Sequence, residues 1–191
     1  YTLLKMKLLK SILPCILLLV PFLARAQNNS NDVTIDIPEV AIVDIEGTSG
    51  TAITLNVEAP TEAGLAADFS NAKDSSLWLN YSSVVGTQTE SSRDVYVKIT
   101  AGKVPNGIRL KVLASIDAGN GDGYLGTPTA EKTITKTDRR IIKNIRTSYT
   151  GDGVGSGHRL FYRLELKSNK YRKLNFDQSD AVTVLYTITD S

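Results

Sequence analysis

Apolar residues recur at every second position along most of this chain. In "AVTVLYTITDS" (181–191), Val182, Val184, Tyr186 and Ile188 share one parity, and Thr183, Leu185, Thr187 and Thr189 share the other. "DVTIDIP" sets Val33, Ile35 and Ile37 on one face before Pro38, which has no N–H to continue a ladder. "TAITLNVEA" sets Ile53, Leu55 and Val57 against Thr54, Asn56 and Glu58. "LWLNYSSVV" sets Leu77, Leu79 and Tyr81 against Trp78, Asn80 and Ser82. "DVYVKITA", "IRLKVLASI" and "RLFYRLELK" repeat the pattern with Val95/Val97/Ile99, Ile108/Leu110/Val112 and Leu160/Tyr162/Leu164, and "VAIVDIE" (40–46) follows it less regularly. Alternation of this kind marks antiparallel strands with one face buried and one face wet. About eight or nine such strands, separated by turn residues and without alternating helices, predict an all-β antiparallel sandwich.

Two stretches break the rhythm. "APTEAGLAADFSNAKDSS" (59–76) is long for a structureless connection, and Leu65 and Phe69, four apart, suit a short helix on the sandwich edge. "TDRRIIKNIRT" (137–147) fits either a helical turn capped by Asp138 and burying Ile141, Ile142 and Ile145, or a strand.

Composition changes the picture at the amino end. Lys5, Lys7 and Lys10 precede the apolar run "SILPCILLLVPFL" (11–23), and Ala24-Arg25-Ala26 has the small-x-small form of a cleavage site. Residues 1–26 therefore read as a signal peptide, with Met6 as the true start and residues 27–191 as one exported domain. The run is too short to span a membrane as a helix and holds Pro14 and Pro21. A lipid anchor on Cys15 is the alternative, but Pro14 stands where a small residue is wanted. Cleavage after Ala26 removes the chain's one cysteine, so the mature domain has no disulfide and must stand on its own core. Export without disulfides points to a bacterial secreted or cell-surface protein.

Charge is divided along the chain. Residues 27–108 hold four basic and eleven acidic residues; residues 109–191 hold fourteen basic and nine acidic. Such a particle can attract its own kind. The slightly acidic mature domain and the export signal speak against nucleic acid as a partner.

Candidate chemistry is sparse. In "SIDAGNGDGYLGT", Asp117, Asn120 and Asp122 are the residues of a calcium loop, yet Ala118 and Thr129 fall where the first and twelfth ligands of such a loop belong. A glycine-rich turn explains the same residues. "YTGDGVGSGHRL" has glycines at 151, 153, 155 and 157 but no Lys-Ser/Thr pair and no following helix, so it reads as a flexible loop, not a phosphate cradle. His158, the only histidine, reads as a surface residue at a strand start. No nucleophile elbow or multi-histidine metal pattern is present, so neither catalytic residues nor a cofactor are expected. Trp78, with Tyr96 or Phe161 on the same exposed face, would make a glycan-stacking platform.

Edge strands supply the strongest functional cue. A sandwich must pair or blunt its edges, and one solution is a strand lent by a neighbour. Val33, Ile35 and Ile37, after the polar start "QNNSN", have the pattern of a lendable strand; pairing within the domain is the alternative. With its "VTIDIPEVAIVDIEG" and "VTVLYTITD", the mature chain resembles small fimbrial-subunit and WxL-like bacterial surface proteins. That resemblance implies an Ig-like or fimbrial-like sandwich which polymerises or decorates the cell surface without catalysis. The expectation is a non-enzymatic structural or adhesive subunit whose partners are itself, other surface subunits or glycans; a carbohydrate-binding module is the alternative.

Overall fold

The computed structural model of this protein describes residues 31–86, 91–177 and 180–191; the expected signal peptide and Cys15 lie outside the described residues. Residues 37–191 build one compact unit, and residues 31–36 belong to a separate one. The strands are β1 (Val40–Gly47), β2 (Lys73–Val84), β3 (Arg93–Ala101), β4 (Ile108–Asp117), β5 (Asp122–Gly123), β6 (Thr127–Pro128), β7 (Lys132–Thr133), β8 (Arg139–Ile145), β9 (Ser148–Tyr149), β10 (His158–Leu166) and β11 (Thr183–Asp190). Every strand pairing is antiparallel. Seven strands form one sheet in the order β5-β9-β2-β10-β4-β7, with β1 on β2, and the other four run β11-β3-β8-β6. The expected all-β sandwich is therefore the observed architecture.

Alternation explains the core. Leu77, Leu79 and Tyr81 of β2, Leu110 and Val112 of β4, and Leu160 and Tyr162 of β10 face Val95, Val97 and Ile99 of β3, Ile141, Ile142 and Ile145 of β8, and Tyr186 of β11. Burying each such side chain contributes about 1.5–3 kcal/mol of transfer free energy. This is the main compensation for chain entropy in a fold whose described residues contain no cysteine.

Two local expectations, at residues 51–57 and 59–76, are corrected. Residues 31–39 form no strand, and Val33, Ile35 and Ile37 are 73%, 81% and 75% exposed. Residues 51–57 keep the predicted alternation, with Ile53 and Leu55 packed on the core, but no strand ladder forms there. Apolar periodicity sets which side a residue faces; it does not supply a partner strand. Residues 59–76 hold no helix: the chain turns at 61–64, Leu65 is 57% exposed, and a bridge between Glu58 and Asp68 closes the loop. Among the described residues the only helical turn is a short 3-10 segment, Tyr171–Lys173.

The ambiguous 137–147 stretch is strand β8, and two irregularities gave it a helix-like spacing. Opposite β3, Val95 pairs with Ile142 and Tyr96 with Arg140, so Ile141 is an extra residue and both neighbouring isoleucines turn inward. A second extra residue lies before Ile145, where Asn144 takes a left-handed conformation (φ 60°). The fully buried Asp94 holds this bulge. Its Oδ1 accepts the Asn144 N–H at 3.0 Å, and its Oδ2 accepts from Arg140 Nη1 at 2.8 Å.

Candidate functional site

Three regions carry chemistry that the core does not use. The first is the side of the sandwich where β1 and β11 end their sheets. Each of these eight-residue strands pairs on one side only among the described residues, β1 with β2 and β11 with β3. The other edges are two-residue strands: β5, β7 and β6. β1 and β11 also pack against each other across the sandwich. Arg93, 1% exposed at the start of β3, ties this side together. Its Nη1 donates to the carbonyls of Val40 and Val84, its Nε donates to Asp190 at 3.0 Å, and its Nη2 pairs with Glu39. The sequence pattern hid this arginine because its parity matches the apolar positions Val95 and Val97.

A second region covers the outer face of the large sheet. Trp78 of β2 stands opposite Arg159 of β10, and Phe161 follows two residues on, opposite Leu113 of β4. The Arg159 guanidinium lies 5.8 Å from the Trp78 ring centre and 5.7 Å from that of Phe161, with Nε donating to the Ser75 carbonyl at 2.6 Å. Trp78 and Phe161 thus share one face, as the platform requires, but a cation sits between them. Tyr96 is in the other sheet and takes no part. Farther along the same strands runs an ion network. Arg163 binds Glu131 through two nitrogens at 2.5 and 2.6 Å, and Lys111 bridges Glu131 at 3.1 Å and Glu165 at 2.5 Å. Arg109 closes on Glu165 at 2.9 Å. Lys111, then Arg109, hold the Glu165 carboxyl at about 2.

The third region is the end of the sandwich where the 118–126 and 150–157 loops meet, and here the sequence reading fails twice. His158 is not on the surface: it is fully buried between β2 and β4. Its Nδ1 is 2.8 Å from the Ser115 carbonyl, and its Nε2 is 3.0 Å from Tyr81 Oη, which also donates to the Leu125 carbonyl. Burial pushes the imidazole below its ordinary pKa, against the Ser115 carbonyl and the Asp117 charge. The glycine loop, expected to be flexible, is pinned. Asn80 Nδ2 donates to Gly153 O at 3.0 Å, Asn120 Nδ2 to Gly155 O at 3.0 Å, and Ala118 N to Gly157 O at 2.9 Å. Gly157 has φ +68°, and a Cβ there would lie 2.3 Å from the Leu79 carbonyl oxygen, so backbone touches backbone. A surface pattern of alternating glycines gives no sign of these distant anchors.

The three residues of the calcium reading are otherwise engaged or turned apart. Asp117 Oδ1 accepts the Gly119 N–H at 2.7 Å, Asn120 holds the glycine loop, and the exposed Asp122 accepts its own neighbour's N–H from Gly123 at 2.7 Å. Among the described residues, no three His, Cys, Asp or Glu side chains converge as a metal site. Asp117 Oδ2 and Asn80 Oδ1 are buried without a hydrogen-bond partner. Comparison with known proteins adds no name to these regions: no family model matches the chain, and neither a curated protein nor a solved structure does.

Proposed function

We propose that this chain is a non-enzymatic, exported structural subunit that assembles with copies of itself, or with similar surface subunits, by strand addition at the β1/β11 side. One observation carries the reading. Residues 31–39 alternate Val33, Ile35 and Ile37 yet form no strand and expose all three, while β1 and β11 each leave a full-length edge open among the described residues. An extended segment with unspent backbone donors and acceptors, and a sheet edge with the same, are complementary. The early strand patterns resemble those of small fimbrial subunits, and that likeness supports the same role at a bacterial cell surface.

Light scattering on the chain from residue 27 onward tests it. Association that rises with concentration and is lost both on deleting 27–38 and in Ile35→Lys is the expected result. A monomer at high concentration, unchanged by either variant, would remove the proposal.

A second reading has its own observation, the shared face of Trp78, Arg159 and Phe161. A neutral sugar would have to displace the guanidinium to stack on either ring, whereas a carboxylated sugar would pair with it. This reading requires binding to uronate-bearing glycans that disappears in Trp78→Ala and Phe161→Ala and survives deletion of residues 27–38.

A further inference from the structure

One end of the sandwich combines an apolar cavity with uncompensated positive charge. Among the described residues neither β1 nor β11 lines it, so it stands apart from the assembly reading. Residues 132–135 cross there from one sheet to the other. Ile134 N donates to Leu110 O of β4 at 2.9 Å, and Ile99 N of β3 donates to Thr135 O at 2.8 Å. The crossing leaves a cavity of about 260 Å³. Val104, Ile108, Leu110 and Ile134 line it, and the last three are at most 9% exposed. Thr133 and Thr135 add polar edges, while Arg109 and Lys167, both partly exposed, set its mouth at the surface.

The charge comes from two segments. Residues 100–110 and 166–174 hold Lys103, Arg109, Lys167, Lys170, Arg172 and Lys173 and no acid. The fold joins them. Lys167 N donates to Gly107 O at 2.8 Å, and a Cβ on Gly107 would meet the Lys170 carbonyl oxygen at 3.0 Å. Arg109 is committed to Glu165. Lys167 has no ion-pair partner among the described residues, and the same holds for Lys103, Lys170, Arg172 and Lys173. Apolar walls favour a hydrocarbon, and a mouth ringed by unpaired cations favours an anion. A single ligand meets both demands when it carries an apolar chain and a charged head. We infer that this cavity binds an anionic amphiphile, its aliphatic chain against Ile108, Leu110 and Ile134 and its carboxylate or phosphate head on Lys167. The volume sets the chain at roughly six to eight carbons, since 260 Å³ holds about eight groups the size of a water molecule.

Nuclear magnetic resonance on the intact chain, with labelled isoleucine and leucine methyls, tests this by titration with octanoate, octyl phosphate, octanol and inorganic phosphate. The methyls of Ile108, Leu110 and Ile134 should shift with octanoate and with octyl phosphate, and the tighter of the two identifies the head group. From butanoate to octanoate, affinity should rise about fourfold per methylene and level off beyond it. Lys167→Gln, a change at the surface, should weaken octanoate about fivefold and leave octanol unaltered. Methyls that stay unshifted at millimolar octanoate would overturn the inference. So would inorganic phosphate binding as tightly as octyl phosphate, or octanol as tightly as octanoate. Each of those three readouts uses the unaltered chain.

Discussion

Tyr162 of β10 and Tyr186 of β11 meet hydroxyl to hydroxyl in the core and join the two sheets beneath β11, the end strand of the small sheet among the described residues. They are 4% and 8% exposed, so neither hydroxyl can replace its partner with bulk water. Tyr162→Phe or Tyr186→Phe alone leaves one buried hydroxyl unpaired, at a cost of about 1–3 kcal/mol. In a domain of this length, that lowers the melting temperature by roughly 2–4 °C per kcal/mol. The double phenylalanine variant removes both polar groups and leaves none orphaned, so it should be less destabilised than the sum of the singles by about 1–3 kcal/mol. Denaturant unfolding of the four proteins measures this coupling. Additive single effects would show that the two hydroxyls do not depend on each other, and the reasoning would fail. Alkaline titration provides a second readout. Burial raises Tyr162 to about 12 and Tyr186 well above the ordinary value, while both phenols ionise near 10 in the unfolded chain. Between pH 10 and 12 the unfolded state sheds protons that the folded state keeps. Stability therefore falls as pH rises, by up to about 1.4 kcal/mol per pH unit for each phenol.

Two further predictions concern charges. Asp94→Ala should cost about 2–4 kcal/mol, because it strips a charge-assisted acceptor from the Asn144 N–H in the β8 bulge. Arg140→Ala, on the half-exposed side of the same pair, should cost under about 1 kcal/mol; the reverse order in chemical denaturation would assign the bulge to the ion pair instead. Glu165 is held low by Lys111 and Arg109, to about 2, so its contribution is present above the unfolded carboxyl value near 4.5 and is lost as pH falls toward 2. Glu165→Gln should flatten that acid limb of a stability–pH curve, and an unchanged limb would mean the network is dispensable.

How much of this was legible in the residues follows from which forces are local. The parity of β2, β3, β4, β10 and β11 was readable because a half-buried sheet imposes a two-residue period on its own sequence, whatever it packs against. The same parity correctly turned Phe161 outward and Ile53 and Leu55 inward. It misjudged residues 51–57 as a ladder strand, since a ladder needs a neighbour and alternation names none, and for the same reason it left open whether Val33, Ile35 and Ile37 pair within the domain or on a neighbour. It left β8 open because the bulges at Ile141 and Asn144 mimic a helical spacing. It exposed His158, which only the approach of Tyr81 from β2 and Ser115 from β4 buries.

The sequence by itself determined the class of fold, an antiparallel sandwich with alternating faces, because hydrophobic burial acts residue by residue along a strand. Tertiary structure alone decided which strands are left as edges, that Arg159 lies between Trp78 and Phe161, and that His158 is buried against Tyr81 and Ser115. Those facts depend on strand order and register, which bring together residues such as Tyr81 and His158, 77 positions apart in the chain.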